Sequence, residues 1–493
     1  MKTILLNLLI LSVLIGCSPS PDAMPTATDQ PVIEPTATET VMPTVIPSPT
    51  PTPLPLDGQQ TEYHIDVTIN YYNRFVTAKS RTLYTNKTKT PIPEMVFIIY
   101  PAIFDAVYIR SVRFGDGASV PDYYWESHRM VIPLDTPLLP REQIEIIHEF
   151  ELYMPDRQGV FGQTGRQLLL SYWYPTIPPY DEDEGWLTYE ISMVNSMFVG
   201  EYQTFESADF YVNIQFTDRQ ELMEIAAGSL PVNGENNFKY FQPLARTFVM
   251  AISDSYTIIE REWNGTLIRG YSFPEVVDSS EVAVDLAEKS IQLYTELFGP
   301  YERNLISVVQ ADMNMNMEFD GLILIMSSFY WLYRDPPRSD LHIIVPHEIS
   351  HQWFFSLVGN NQAMEPWLDE AFATYSEALF YEFLFPEELD WWWENRIYNH
   401  LPTGSIDINI YHQGGLPEYT LRVYRRGALF MQELREIVGD EVFFIFIRAY
   451  IDAHRYEIAT GEDFWGMLMQ HTEADLTGIM NEYFQNPPIS IEP

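Results

Sequence analysis

The spacing of apolar residues changes character along this chain, and each change marks a boundary. Between residues 60 and 257, short segments such as "YHIDVTINYY", "RTLYTNKT" and "ADFYVNIQFT" place an apolar side chain at every second position. Pro, Gly, Asn and Asp separate them. A period of two predicts antiparallel strands with one buried face. From Ser279 the period lengthens, and "SSEVAVDLAEKSIQLYTELFG" predicts a helix capped by Ser280 and stopped by Gly299. "NLISVVQADMNMNMEF" alternates again as a strand, with Met313, Met315 and Met317 on one face, and most of the chain beyond Asp340 reads as helix. No internal repeat of fixed period is present.

Two stretches fit neither pattern. Ile4 to Ile15 is a continuous apolar run after Lys2, too short for a permanent transmembrane helix but suited to a signal peptide. Ser18 to Leu56 is dominated by Pro and Thr and lacks periodicity, which predicts an extended tether. The expected organisation is a signal peptide at 1–16, a Pro/Thr-rich tether at 17–59, a β-domain at 60–257 and a mixed α/β domain at 258–493. This is an α+β multidomain chain.

Composition narrows the functional classes. With 493 residues, 46% of them hydrophobic, the chain can bury a large core. Its net charge of −41, from 69 acidic against 28 basic side chains, repels phosphate backbones, so no nucleic-acid partner is expected. The single cysteine, Cys17, excludes an intramolecular disulfide, and the core and any metal must supply stability. "LIGC", Leu14 to Cys17, resembles a bacterial lipobox. That resemblance implies cleavage before Cys17, a lipid on its thiol, and an exported body anchored to a bilayer on the outer side of a bacterial membrane. An incidental cysteine in an ordinary secretory signal is the alternative.

The chemistry concentrates in "PHEISHQWFFSLVGNNQAMEPWLDEAFATYSE", Pro346 to Glu377. Imidazoles four apart on a helix lie one turn apart on one face, so His347 and His351 can reach one ion. Glu348 sits about 100° round the axis, where it can face the ion's open side and accept a proton from an activated water. With ten histidines, a chain of this composition shows this five-residue pattern by chance roughly one or two times in a hundred. A catalytic zinc needs a third protein ligand. The helix predicted from "EPWLDEAFATYSEALFYEFLF", opened by Pro366 and stopped by Pro386, offers Glu370. Gly359, Asn360 and Asn361 are read as the turn between the two helices. By itself, Glu370 reads as a solvated helix carboxylate, the usual fate of glutamate.

"HEISHQWF" and then "WLDEAFATYSE", with Glu370 nineteen positions after His351, resembles the aminopeptidase N family of zinc peptidases, peptidase family M1. The resemblance implies a thermolysin-like catalytic domain behind a saddle-like antiparallel β-domain. It also implies one Zn²⁺ per chain on His347, His351 and Glu370, with Glu348 as general base. The family carries a tyrosine in a Y-x-K-G-A context, and "VYRRGALFMQEL" places Tyr424 there, with arginine for the lysine. Tyr424 is thereby implied as the donor to the oxyanion. "MNMEFDGLILI" is similar to the family's G-x-M-E-N strand, implying Met317 and Glu318 in substrate binding and Glu318 as the anchor of a free α-ammonium. Met315 and Phe319 depart from that pattern. Gln163 and Gln167 are candidates for a glutamine that the family's β-domain lends to the same task.

The other marked residues have plainer readings. His342 is read as packing or capping locally, and the alternating methionines as core or pocket lining rather than soft-metal ligands. "DWWWEN" at Asp390 to Asn395 reads as a buried corner with an exposed edge. Glu377, seven residues after Glu370, faces either a metal ligand or solvent. Together these features describe an exported zinc aminopeptidase acting on peptides with a free N-terminus. A zinc endopeptidase on the same fold and a non-catalytic surface binding protein are the alternatives. The oligomeric state is not legible.

Overall fold

The computed structural model describes residues 60–194, 197–218, 223–233 and 237–486. The expected signal peptide, Cys17 and the tether lie outside the described residues. Among the described residues no helix is long and apolar enough to cross a membrane.

The alternating segments do form sheets. Thr61–Asn70 buries Tyr63, Ile65, Val67 and Ile69 and turns their neighbours outward, as a half-buried strand must. It lies inside a seven-stranded sheet whose order is 232–233, 237–245, 208–216, 61–70, 75–85, 143–153, 107–114. The expectation of purely antiparallel pairing needs one correction, because 61–69 pairs parallel with 208–216. The reason is topological: the chain forms one smaller sheet and the first hairpin (161–164, 167–170) of another before returning to the free edge of its first strand. The two are a three-stranded sheet (92–98, 129–138, 124–126) and a four-stranded one (224–226, 250–253, 167–170, 161–164).

A second large sheet, of five strands, begins at Thr257, in the order 257–263, 266–272, 305–311, 322–326, 317–319. Its central strands are parallel, and the helix Val277–Phe298 links the strand 266–272 to its parallel neighbour 305–311. That helix starts three residues before Ser280, which is interior and bonds its Oγ back to the carbonyl of Val276 at 2.9 Å. Pro274 and Glu275, not Ser280, open the segment. Gly299 ends it, at φ +114°. The methionines do not share one strand face. The strand stops at Ala311 and resumes only at Met317, because Asp312 is drawn aside by two guanidinium nitrogens of Arg166 (2.8 Å each) and by Ser327 at 2.6 Å. A β-rich N-terminal region thus precedes a predominantly helical C-terminal one. One continuous apolar core, containing Tyr63, Trp173, Ile323, Leu379 and Phe464 among many others, runs through both.

A smaller core, around Met95, Phe97, Met130 and Ile132, closes the far end of the β-region. His148 is buried beside it, opposite Ser80 in the strand register and edge-on to Phe97 with 4.5 Å between ring centres. Neither of its ring nitrogens has a hydrogen-bond partner among the described residues. Burial alone pushes its pKa down to about 3, whereas an unfolded histidine titrates near 6.5, roughly. The unfolded chain therefore binds more protons between those values, and stability falls as the pH drops from about 6.5 towards 3, by about 1.4 kcal/mol per pH unit for this one site. Chemical denaturation of wild type and His148→Leu across that range checks this: the variant is expected to show a slope shallower by one proton.

Candidate active site

The two histidines enter on the helix Asp340–Ser350, whose last turn carries His347. His351 is its C-terminal cap, still in right-handed helical conformation (φ −63°, ψ −10°), so the four-residue spacing keeps both rings on one side. Their ring centres are 5.0 Å apart. The connection to the next helix is a run of turns over 351–366, rather than a simple turn at 359–361. Gly359–Asn360 pairs instead with Ile458–Ala459, tying this connection to the C-terminal region. The helix Trp367–Leu384 comes next, buried from Trp367 to Tyr381, with Glu370 in its first turn.

Between them, the Nε2 atoms of His347 and His351 stand 3.3 Å apart, and Glu370 Oε2 lies 3.2 and 3.6 Å from them. Ligand atoms placed about 2.0–2.1 Å from one ion at tetrahedral angles are separated by about 3.3 Å. The triangle therefore has the dimensions a zinc ion requires. The rings are also oriented for it. His347 turns Nδ1 to Glu377 Oε1 at 2.8 Å, and His351 turns Nδ1 to the carbonyl of Phe354 at 3.0 Å. With those nitrogens donating, each Nε2 presents a lone pair to the ion. Burial works against a positive charge on His347, yet the carboxylates of Glu370 and Glu377 outweigh it and raise its pKa to about 10. The pocket favours a cation.

Glu348 is buried, and its Oε2 has no hydrogen-bond partner among the described residues. Burial pushes its pKa up to about 7, against the pull of the two histidines. An orphaned carboxylate poised near neutrality suits a group that takes up and gives back a proton. Tyr424 stands by His347 and Glu370. It lies in a π-helical turn, Thr420–Arg426, stacks on His347 at 5.9 Å, and donates its hydroxyl to Glu370. Gly427 makes the approach possible, because a Cβ there would stand 2.5 Å from that of Ala371, one residue past Glu370.

Glu318 stands on the Glu348 and His351 side of the metal triangle, the three groups lying within 4.8 Å of one another. Met317 does not join it. Successive strand residues point to opposite faces, and with Glu318 in the site Met317 packs into the core. Phe319 is likewise fully buried, edge-on to Tyr172, so this departure fills core rather than cleft. Gln163 and Gln167 lie elsewhere. Gln167 bonds the carbonyl of Gln310 and the amide of Asp312, and Gln163 is held in the 161–164 strand.

Several functional neighbours lie outside the sequence motifs. Glu201, from the β-region, faces Glu318; it accepts from Tyr172 at 3.0 Å and from Gln362, which also reaches Glu318 at 3.4 Å. Burial raises the pKa of both carboxyls; the charge of Glu201 raises Glu318 further, whereas a hydrogen bond with Glu318 pulls Glu201 partly back. Glu377, open in sequence terms between ligand support and solvent, is fully buried. It accepts from His347, Trp392 (3.1 Å) and Arg396 (2.8 and 2.9 Å). The i+7 spacing from Glu370 signals Glu377. Nothing local signals Glu201, Gln362, Trp392 or Arg396. His342 packs locally as expected, with Nδ1 2.9 Å from Ser339 and its ring on Tyr333.

Two helices beside a mixed sheet thus bring together a metal-binding donor set and, next to it, a buried carboxylate with one oxygen unpartnered among the described residues. Residues 282–483 match the peptidase family M1 domain. Aminopeptidase N of Lactobacillus helveticus is 27% identical over 229 residues, covering 42% of this chain and 26% of the relative. Aminopeptidase M1 of Arabidopsis thaliana is 26% identical over 301 residues, covering 56% of this chain and 34% of that protein. The chain thus spans about a quarter to a third of the curated relatives it matches. A crystal structure of an M1 zinc metallopeptidase from Deinococcus radiodurans shares the fold, with a TM-score of 0.61 at 16% identity over 88% of this chain and 97% of that one.

Zinc affinity tests the arrangement directly. Glu370→Ala is expected to abolish stoichiometric binding in a chelator-competition titration. Glu377→Ala, which frees the His347 ring, is expected to weaken it by about 10–100-fold.

Proposed function

We propose that this protein is a zinc-dependent aminopeptidase that removes N-terminal residues from peptides, with one zinc ion per chain held by His347, His351 and Glu370. The observation that carries the reading is the pair of facing carboxylates, Glu201 and Glu318, set beside the metal triangle on the Glu348 side. Two buried carboxyl groups that face each other, both with raised pKa, need a cation between them when they ionise, and a peptide's α-ammonium supplies one. An endopeptidase has no use for that pair, because an internal peptide nitrogen carries no charge.

Zinc, when bound, polarises a carbonyl and makes a water acidic. The chain's own residues divide the remaining work. Glu201 and Glu318 hold the ammonium and so set which bond meets the ligand triangle. Glu348 accepts the attacking water's proton and delivers it to the departing amine, a transfer that a carboxyl with pKa about 7 makes in either direction near neutral pH. Tyr424 gives its hydroxyl hydrogen bond to the carbonyl oxygen as negative charge develops there. Glu377, braced by Trp392 and Arg396, keeps the His347 ring in register throughout.

In finer architecture, we read 60–257 as a saddle-like domain and 258–493 as a thermolysin-like catalytic domain. Location rests on the sequence of the first seventeen residues alone: export, and a lipid on Cys17 that holds the body to the outer side of a bacterial membrane. Metabolic labelling with a radioactive fatty acid is expected to mark the wild type and not Cys17→Ala.

The activity is tested with zinc-loaded protein, aminoacyl fluorogenic amides and N-acetylated peptides. Release from free amino ends only is expected. Glu348→Gln should abolish it, Tyr424→Phe should lower kcat by about 10²–10³, and Glu318→Ala should raise KM. Cleavage of the acetylated peptides would instead make the protein an endopeptidase, and zinc binding without turnover would make it a binding protein.

A further inference from the structure

The polarity of the site does not end at the ammonium-binding pair. Glu201 and Glu318 lie on the Glu348 and His351 side. The opposite side, behind His347, is cationic. Arg396 reaches Glu377 there, and Arg425 comes directly after Tyr424, the ring stacked on His347. Four arginines crowd this quarter, and three of them are neutralised: Arg396 by Glu377, Arg422 by Glu418 and Arg426 by Glu482. Arg425 has no ion pair and no hydrogen bond among the described residues. Its Nε is buried without a partner, as are those of Arg422 and Arg426, but of the four it alone also lacks an ion pair among the described residues; its side chain as a whole is half-buried. Its surroundings make this costly. Burial, and then repulsion from Arg396, depress its pKa, with only Glu377 opposing. Burial lowers the pKa of His400, and Arg425 and Arg396 lie close enough to lower it further. In a chain with 69 carboxylates and 28 basic side chains, a half-buried guanidinium left without a carboxylate is a place for one to bind.

We infer that Arg425 receives a carboxylate of the substrate on the leaving side of the scissile bond. This rests on the aminopeptidase reading and names the class of peptide it takes. The guanidinium fork matches a carboxylate with two parallel hydrogen bonds. Two sources present that group. One is the C-terminal carboxylate of a peptide about two to four residues long, given that extended chain advances about 3.3–3.6 Å per residue and Arg425 adjoins Tyr424. The other is an aspartate or glutamate side chain just beyond the bond. Either way the substrate spans the site as a dipole, ammonium on Glu201 and Glu318, carboxylate on Arg425.

The test compares Ala-Ala-Ala as free acid, Ala-Ala-Ala amide, and Ala-Asp-Ala amide with zinc-loaded wild type, Arg425→Ala and Arg425→Lys. Binding of the same three peptides to Glu348→Gln by calorimetry supplies a readout independent of turnover. The wild type is expected to favour at least one carboxylate-bearing peptide over the neutral amide by about tenfold or more in kcat/KM, and in affinity for Glu348→Gln. The ratio should collapse towards one in Arg425→Ala and be partly restored in Arg425→Lys. A preference for the free acid assigns the C-terminus, and one for the aspartyl peptide the side chain. Equal handling of all three by the wild type, or a preference that Arg425→Ala leaves intact, overturns the inference while the aminopeptidase reading stands. Failure to release the first residue from, or to bind, any of the three overturns both.

Discussion

Carboxylates are crowded together inside this protein, and the cost of burying like charges organises the groups around them. Glu201, Glu318, Glu348, Asp369, Glu370 and Glu377 converge on one site. Inside a protein such groups must be neutralised, paired or protonated. Each solution here is different. Glu377 is matched by Arg396 and by hydrogen bonds from His347 and Trp392, and Glu370 by two imidazoles and a phenol. Glu318 and Glu348 are left with raised pKa values and few partners.

The fold holds this charge in place from two directions. The helix of the histidines and the helix of Glu370 pack within the C-terminal region, while Glu201 arrives from the β-region. Arg246 fastens the seam. Fully buried, it bonds the carbonyls of Phe205, Phe355 and Glu457, and its amide meets Asp320, two residues after Glu318. Burial lowers its pKa to about 10, which still leaves it charged at neutral pH. The two regions share one core, so the carboxylate pair and the metal triangle are positioned as a single rigid assembly.

Legibility in the sequence tracks the range of each interaction. The metal triangle is visible because its spacing is local: histidines four positions apart, on one turn, and a helix start that sets Glu370. Glu377 is half visible for the same reason. The strand expected to carry Met313, Met315 and Met317 is broken because the pull on Asp312 comes from Arg166, 146 positions away. Ser280 looks like a cap in sequence but is not one, because Pro274 has already opened the segment upstream.

The sequence by itself determined the chemistry that depends on periodicity and composition: strands then helices, two imidazoles on one face, a glutamate between them, and a strong negative charge. Tertiary structure alone decided which distant groups serve that chemistry. Glu201 rather than Gln163 or Gln167 meets Glu318, Arg396 and Trp392 rather than solvent meet Glu377, and Arg425 has no ion pair among the described residues while its arginine neighbours do. The physical reason is that hydrogen bonding and charge pairing act over a few ångströms in space, and only packing brings residues far apart in sequence to that distance.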